Sequence, residues 1–189
     1  MAIAEEIEKA CAVLKKGGLI LYPTDTVWGI GCDATNPEAV RKIYKLKGSG
    51  DKKSMLVLVA SADAATRYAG RVPEVAWELM ELSDKPLTLI LPNACGIADN
   101  LIPEEGTIGI RVPDNDFCLG LLRKFGRPIV STSANISDQP APAYYADIAK
   151  EVREGVDLIV DPSFEGRSTH KPSSIIQLGE SGEIKIIRE

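Results

Sequence analysis

The sequence predicts an α/β (α+β) fold: a single-domain twisted mixed sheet flanked by helices. Three observations carry this. Short apolar runs alternate with segments of helical periodicity along the whole chain. The alternation is no strict strand–helix–strand repeat. Roughly seven strands and about five helices fall in irregular order, so parallel and antiparallel neighbours must share a sheet. Finally, 44% of the 189 residues are hydrophobic, enough for a sizeable core in one domain spanning residues 1–189.

Each element has its own signal. Residues 4–16 read as a helix ended by Gly17 and Gly18, and 19–22 as a short apolar strand. Asn36 and Pro37 have the chemistry of an N-cap and a first helical position. Val40, Ile43 and Tyr44 then form an apolar face, and Gly48 ends that helix. The run SMLVLVA (54–60) is a buried strand, and Ser61 caps a short helix after it. A helix follows over 73–83, then strands LTLILP (87–92) and TIGIRVP (107–113). Residues 115–125 form a helix closed by Gly126, and PIVSTSAN (128–135) is a strand running into a polar loop. Residues 145–154 are helical, VDLIVD (156–161) is a strand, and SSIIQLG with EIKIIRE closes the chain as a hairpin.

Composition narrows the function classes. The formal net charge is −5, whereas a protein that wraps nucleic acid usually carries a basic excess. The balance favours a small-molecule partner or a brief RNA contact. The four cysteines, at 11, 32, 95 and 118, are scattered, and His170 is the only histidine, so zinc-type spacing is absent and no metal site is expected. Residues 1–16 are amphipathic and acidic, unlike a signal peptide, and no apolar run approaches the roughly 20 residues of a membrane span. These features predict a cytoplasmic protein with reduced thiols and no membrane partner.

The polar chemistry is concentrated. Three segments are expected to deliver small hydroxyl residues at the end of an apolar strand: Pro23–Thr26, Ser131–Asn135 and Pro172–Ser174. Such groups orient a polar ligand in the crevice beyond strand ends, or they serve only as local turn chemistry. Lys45, Lys47, Lys52 and Lys53 surround two glycines in KLKGSGDKKS, which suits an anion without matching a Walker motif. Arg111 lies inside an apolar strand and needs an anionic partner or a wet pocket. Asp25 is either a general base or a cap for Thr26. His170 sits in a polar loop, and no nucleophile–base pair is legible.

Five motifs stand in order along the chain: YPTDTVWGIGCDA, KPLTLILP, TIGIRVP, STSANISDQPAP and KPSSIIQL. Together they make it resemble the YrdC-like family, which includes the threonylcarbamoyl-AMP synthases, over nearly its whole length. The resemblance implies a YrdC-like sheet with a concave, positively lined ligand cavity. It implies a reaction of L-threonine, bicarbonate or CO2, and ATP with Mg2+ bound through the ATP. Threonylcarbamoyl-adenylate and pyrophosphate result, and downstream threonylcarbamoyl-transfer proteins act next on tRNA. A weak contact with tRNA or double-stranded RNA is a further implied partner. By resemblance Thr26, Arg111, Ser131 and Ser174 bind threonine, with Arg111 on its carboxylate. Lys47, Lys53, Thr107, Ser133, Asn135, Ala141 and Arg188 surround the nucleotide, and Lys47 and Arg111 carry catalysis by charge stabilisation. Arg111→Ala is then expected to abolish threonine binding and leave the fold intact.

The chain departs from the family's pattern at Ser49, at Ser54-Met55 in place of Pro-Leu, at Leu58 in place of a histidine that some members have, and at Lys85-Pro86 in place of Gly-Pro. The first departure is the most informative. Lys47-Gly48-Ser49 stands where the family's synthases have Lys-x-Arg, so a planar phosphate-binding fork is replaced by Ser49. That departure keeps a second reading open: a YciO-like protein that binds nucleotide or double-stranded RNA with little synthase activity.

Overall fold

The computed structural model describes residues 2–49 and 55–189. In chain order the elements are α1 (Ile3–Lys15), β1 (Ile20–Tyr22), β2 (Gly29–Gly31), α2 (Pro37–Lys47), β3 (Leu56–Leu58), α3 (Ala62–Ala65), α4 (Glu74–Leu82) and β4 (Leu87–Leu91). Then follow β5 (Ile108–Arg111), α5 (Asp116–Phe125), β6 (Ile129–Ser133), α6 (Lys150–Glu154), β7 (Leu158–Ile159), β8 (Ser174–Leu178) and β9 (Ile184–Arg188). The strands form one nine-stranded sheet in the order β7-β1-β2-β6-β3-β5-β4-β8-β9. It is mixed as predicted: β1 with β7, β3 with β5 and β4 with β8 are parallel, and the other neighbours are antiparallel.

Local chemistry sets the helix ends. The Asn36 side chain accepts from the Glu38 and Ala39 N–H groups, Pro37 opens α2, and Gly48 closes it at φ 65°. Ser61 accepts from Ala64 N–H at the start of α3. Asn115 does the same for Cys118 N–H at α5, which Gly126 closes.

Two elements differ from expectation. Residues 29–31 form a strand wedged between β1 and β6. Its glycines hid it, yet they are what let it fit. A Cβ at Gly31 would lie 2.6 Å from Tyr22 Cε1 and 2.8 Å from the Val130 carbonyl oxygen. The helix expected over 145–154 is shorter. Residues 145–147 make only a 3-10 turn before α6 starts at Lys150.

Side-chain alternation gives the sheet two different faces. Leu21, Ile30, Val57, Leu89, Ile110 and Val130 point to one face and pack with Val40 and Ile43 of α2. Ile20, Tyr22, Leu58 and Ile129 point to the other and pack with Leu14 of α1 and Phe117 and Leu121 of α5. Each fully buried aliphatic or aromatic side chain contributes about 1.5–3 kcal/mol. The helices α1 and α5 cover only part of that second face, and the uncovered part floors a cavity. Among the described residues no helix is long and apolar enough to cross a membrane.

The cysteines are free thiols, with Cys11, Cys32 and Cys118 buried and Cys95 exposed. Burial pushes the Cys32 and Cys118 thiols well above their ordinary range, which disfavours the reactive thiolate. Iodoacetamide should therefore add once to the native protein, at Cys95, and at all four cysteines after unfolding. Intact mass followed by peptide mapping reads this directly. Native modification of Cys32 would show that the sheet opens there.

Candidate functional site

The cavity has a volume of about 410 Å³ and lies against the sheet face, rather than beyond the strand ends. Its floor is built row by row. Register aligns Ser131, Leu56, Gly109 and Ile90 across four adjacent strands, and all four line the cavity. Gly109 keeps this floor low: a Cβ there would sit 3.2 Å from Leu56 Cβ and rise into the space. In a neighbouring row Thr88 pairs with Ile175, and Ile175 with Arg188. The β4–β5 ladder ends at the Leu89–Ile110 pair, and Thr88 and Arg111 are the next residues on the two strands. Thr88, Ile175, Arg111 and Arg188 all line the cavity. The walls come from the 23–28 loop, through Thr26 and Trp28, and from the loop after β6, through Asn135 and Ala141.

Most of the residues singled out in the sequence converge here. Thr26, Thr107, Arg111, Ser131, Ser133, Asn135, Ala141 and Arg188 line the cavity. Ser174 does not; its neighbour Ser173 takes the wall position. The cause is the period of two in a strand: Ser173 and Ile175 share the cavity face, and Ser174 points away. This segment also enters β8 rather than leaving a strand, so it breaks the pattern of the other two hydroxyl segments. Lys47 sits behind the wall, 7% exposed. Its ammonium donates to the Ser133 and Asn135 carbonyl oxygens at 2.6 and 2.7 Å. It holds the loop that carries those two residues. Lys52 and Lys53 lie outside the described residues. Ser49 is half-buried, and its N–H closes the end of α2 on the Tyr44 carbonyl.

The electrostatics are one-sided. Among the described residues no carboxylate lines the cavity, and the charged groups that do are Arg111 and Arg188. Arg111 is 2% exposed and donates through Nη1 to Asp25 Oδ1 at 2.5 Å. Its Nε is buried with no partner, which leaves a donor for an incoming acceptor. Arg188 donates through Nε to the Ser173 carbonyl at 2.9 Å, and desolvation lowers its pKa.

Asp25 takes neither role the sequence offered as its own. Its carboxylate is engaged by Arg111, and the Thr26 N–H donates instead to Thr24 Oγ1 at 3.1 Å. His170 is outside the cavity lining, with its ring 4.6 Å from Tyr144 and Nδ1 3.0 Å from the Ala143 carbonyl oxygen. Tyr22 is buried, which raises its pKa, and its hydroxyl donates to the Val130 carbonyl. Neither group offers a base to the cavity. Among the described residues no cluster of His, Cys, Asp or Glu could hold a metal ion. Sequence reasoning missed Thr88, Trp28 and Ile175 as cavity residues. Thr88 had a readable signal, a lone hydroxyl inside the apolar run LTLIL.

A family model for Sua5/YciO/YrdC, described as "Telomere recombination", matches residues 12–189. The chain is 34% identical over 158 residues to the threonylcarbamoyl-AMP synthase of Bacillus subtilis, covering 82% of this chain and 46% of that protein. It is 30% identical over 178 residues to the Vibrio cholerae protein of the same name, covering 93% and 94%. The crystal structure of P. abyssi Sua5 complexed with L-threonine superposes with a TM-score of 0.83 at 29% identity, over 91% of this chain and 50% of that one. E. coli YciO superposes with a TM-score of 0.80 at 25% identity, over 98% and 89%. The chain therefore spans about half of the B. subtilis and P. abyssi proteins and nearly all of the V. cholerae and E. coli ones.

Proposed function

The chain belongs to the Sua5/YciO/YrdC family, and we propose that it acts as a threonylcarbamoyl-AMP synthase, with residues 1–189 as one functional domain. The observation that carries this is the cavity that Arg111 and Arg188 line, with no carboxylate among its described lining residues. Such a site suits a ligand with a carboxylate and phosphates. In the proposed reaction the threonine amine bonds to the carbon of CO2 and loses a proton. A new carbamate oxygen then bonds to the α-phosphorus of ATP. The bond from that phosphorus to the β-bridging oxygen breaks, and pyrophosphate leaves with the electron pair.

Arg111 would hold the threonine carboxylate through its unpaired Nε, beside Thr26 and Ser131. Ser133, Asn135, Thr107, Ala141 and Arg188 would surround the nucleotide. Lys47 would act by holding the Ser133–Asn135 turn. Magnesium would arrive with the ATP, held by phosphate and water, because the described lining residues offer it no carboxylate. The product would pass to threonylcarbamoyl-transfer proteins for tRNA modification, in a cytoplasmic setting, with at most a weak direct RNA contact.

The alternative reading is a YciO-like nucleotide- or RNA-binding protein. Ser49 favours it, together with the likeness to E. coli YciO over 98% of the chain. Pyrophosphate release separates the two, measured with ATP, L-threonine and bicarbonate, each omitted in turn. Release that needs all three is the expected result. Nucleotide binding without release would overturn the synthase and leave the alternative.

A further inference from the structure

Thr88 is buried, 2% exposed, in the middle of the sheet, and its hydroxyl is 2.7 Å from that of Ser173, itself 5% exposed. Both side chains line the cavity. A hydroxyl offers one hydrogen and two lone pairs. The bond between the two uses one hydrogen, so the pair keeps one hydrogen and free lone pairs for a third group. The position is also fixed from both sides. On β4 Thr88 directly precedes Leu89, whose partner on β5 is Ile110, the neighbour of Arg111, and on its other side it pairs with Ile175 of β8. The methyl Cγ2 of Thr88 lies 3.5 Å from where a Cβ on Gly109 would stand, on the floor side. The Arg188 guanidinium fixes the Ser173 backbone through its carbonyl.

We infer that Thr88 sets the amino-acid selectivity of this cavity. The inference rests on the reading of the cavity as an L-threonine site. With the substrate carboxylate on Arg111, the Thr88–Ser173 pair bonds the substrate's side-chain hydroxyl, and Ile175 takes its methyl group. Valine has the shape of threonine without the hydroxyl. It would leave the buried pair without its third partner, and a site built to bond a hydroxyl rejects such an analogue strongly. Serine would bond the pair and forfeit the Ile175 contact. A methyl group in an apolar contact discriminates less than a buried hydrogen bond does.

The test is pyrophosphate release with L-threonine or L-valine as the amino acid, compared as a ratio of kcat/KM. The wild-type ratio should exceed about 100. Thr88→Val should lower it at least about tenfold, and Thr88→Ser, which keeps the hydroxyl, should hold it within about threefold of wild type. A general loss of structure cancels in this ratio, so a purely structural hydroxyl pair would leave it unmoved. If Thr88→Val does not fold, Ser173→Ala removes the other half of the pair and should lower the ratio in the same way. An unchanged ratio in a folded variant, with wild-type release intact, overturns the role of Thr88 alone. Absence of release from the wild-type protein with any amino acid overturns the threonine reading, and this inference with it.

Discussion

Arg111→Ala should lower folding stability by about 3–5 kcal/mol and abolish L-threonine binding. From the sequence this change is expected to spare the fold, whereas the buried ion pair of Arg111 argues for a stability loss. The reason is Asp25, which is 5% exposed and meets Arg111 at 2.5 Å. Removing the guanidinium strands a buried carboxylate near Cys118 without its charge partner. Urea unfolding measures the loss. Removing both partners, as Arg111→Ala with Asp25→Ala, should recover part of the stability and none of the threonine binding. Arg111→Lys keeps a charge for Asp25 and loses the planar fork. It should fold and still weaken threonine at least about tenfold in calorimetry. Normal stability in the single alanine variant would show that Asp25 finds water or another partner.

Lys47→Met should cut pyrophosphate release by about 100-fold or more and cost at least about 2 kcal/mol of stability. The ammonium bonds two carbonyl oxygens of the turn that carries Ser133 and Asn135. Charge-assisted bonds of this kind are among the stronger ones, and methionine fills the same space with no donor. The same turn is anchored by the Ser137 N–H on the Lys47 carbonyl, and the Asn135 amide donates to the Ile136 and Gln139 carbonyls. These remaining bonds should keep the variant folded while the turn loses its position. Steady-state kinetics with a thermal melt separates the two effects. Full turnover in the variant would mean that the turn stands without Lys47.

Much of this was legible in the residues. Caps at Asn36, Ser61 and Asn115 and stops at Gly48 and Gly126 are local chemistry, and local chemistry is what a linear sequence carries. Apolar runs located β3 to β6 and the β8–β9 hairpin. The strand at 29–31 was hidden because its glycines have no side chains to show a period, and their reason lies in Tyr22 and Val130 on neighbouring strands. The Ser173–Ser174 choice failed by one residue for a similar reason. Adjacent serines leave the parity of a strand undecided until its neighbours fix the face. The Asp25–Arg111 pair joins positions 86 residues apart, and no spacing rule reaches that far.

The order of the sheet has a kinetic consequence. Residue 20 pairs with residue 158, and the Leu19 N–H meets the Asp157 carboxylate across 138 residues of chain. The β4–β8 ladder is nonlocal too, joining Leu87 to Ser174. Chains dominated by distant pairings fold slowly, on the millisecond-to-second range, because loop entropy is lost before the contacts form. Ser173, Ile175 and Arg188 reach the cavity only when β8 and β9 dock on β4. In chain order those strands follow α1 to β7. A chain that has completed α1 to β7 already holds Arg111, but it lacks Ser173, Ile175 and Arg188 of the cavity lining. Under the proposed reading, the cavity is thus complete only once β8 and β9 have docked on β4.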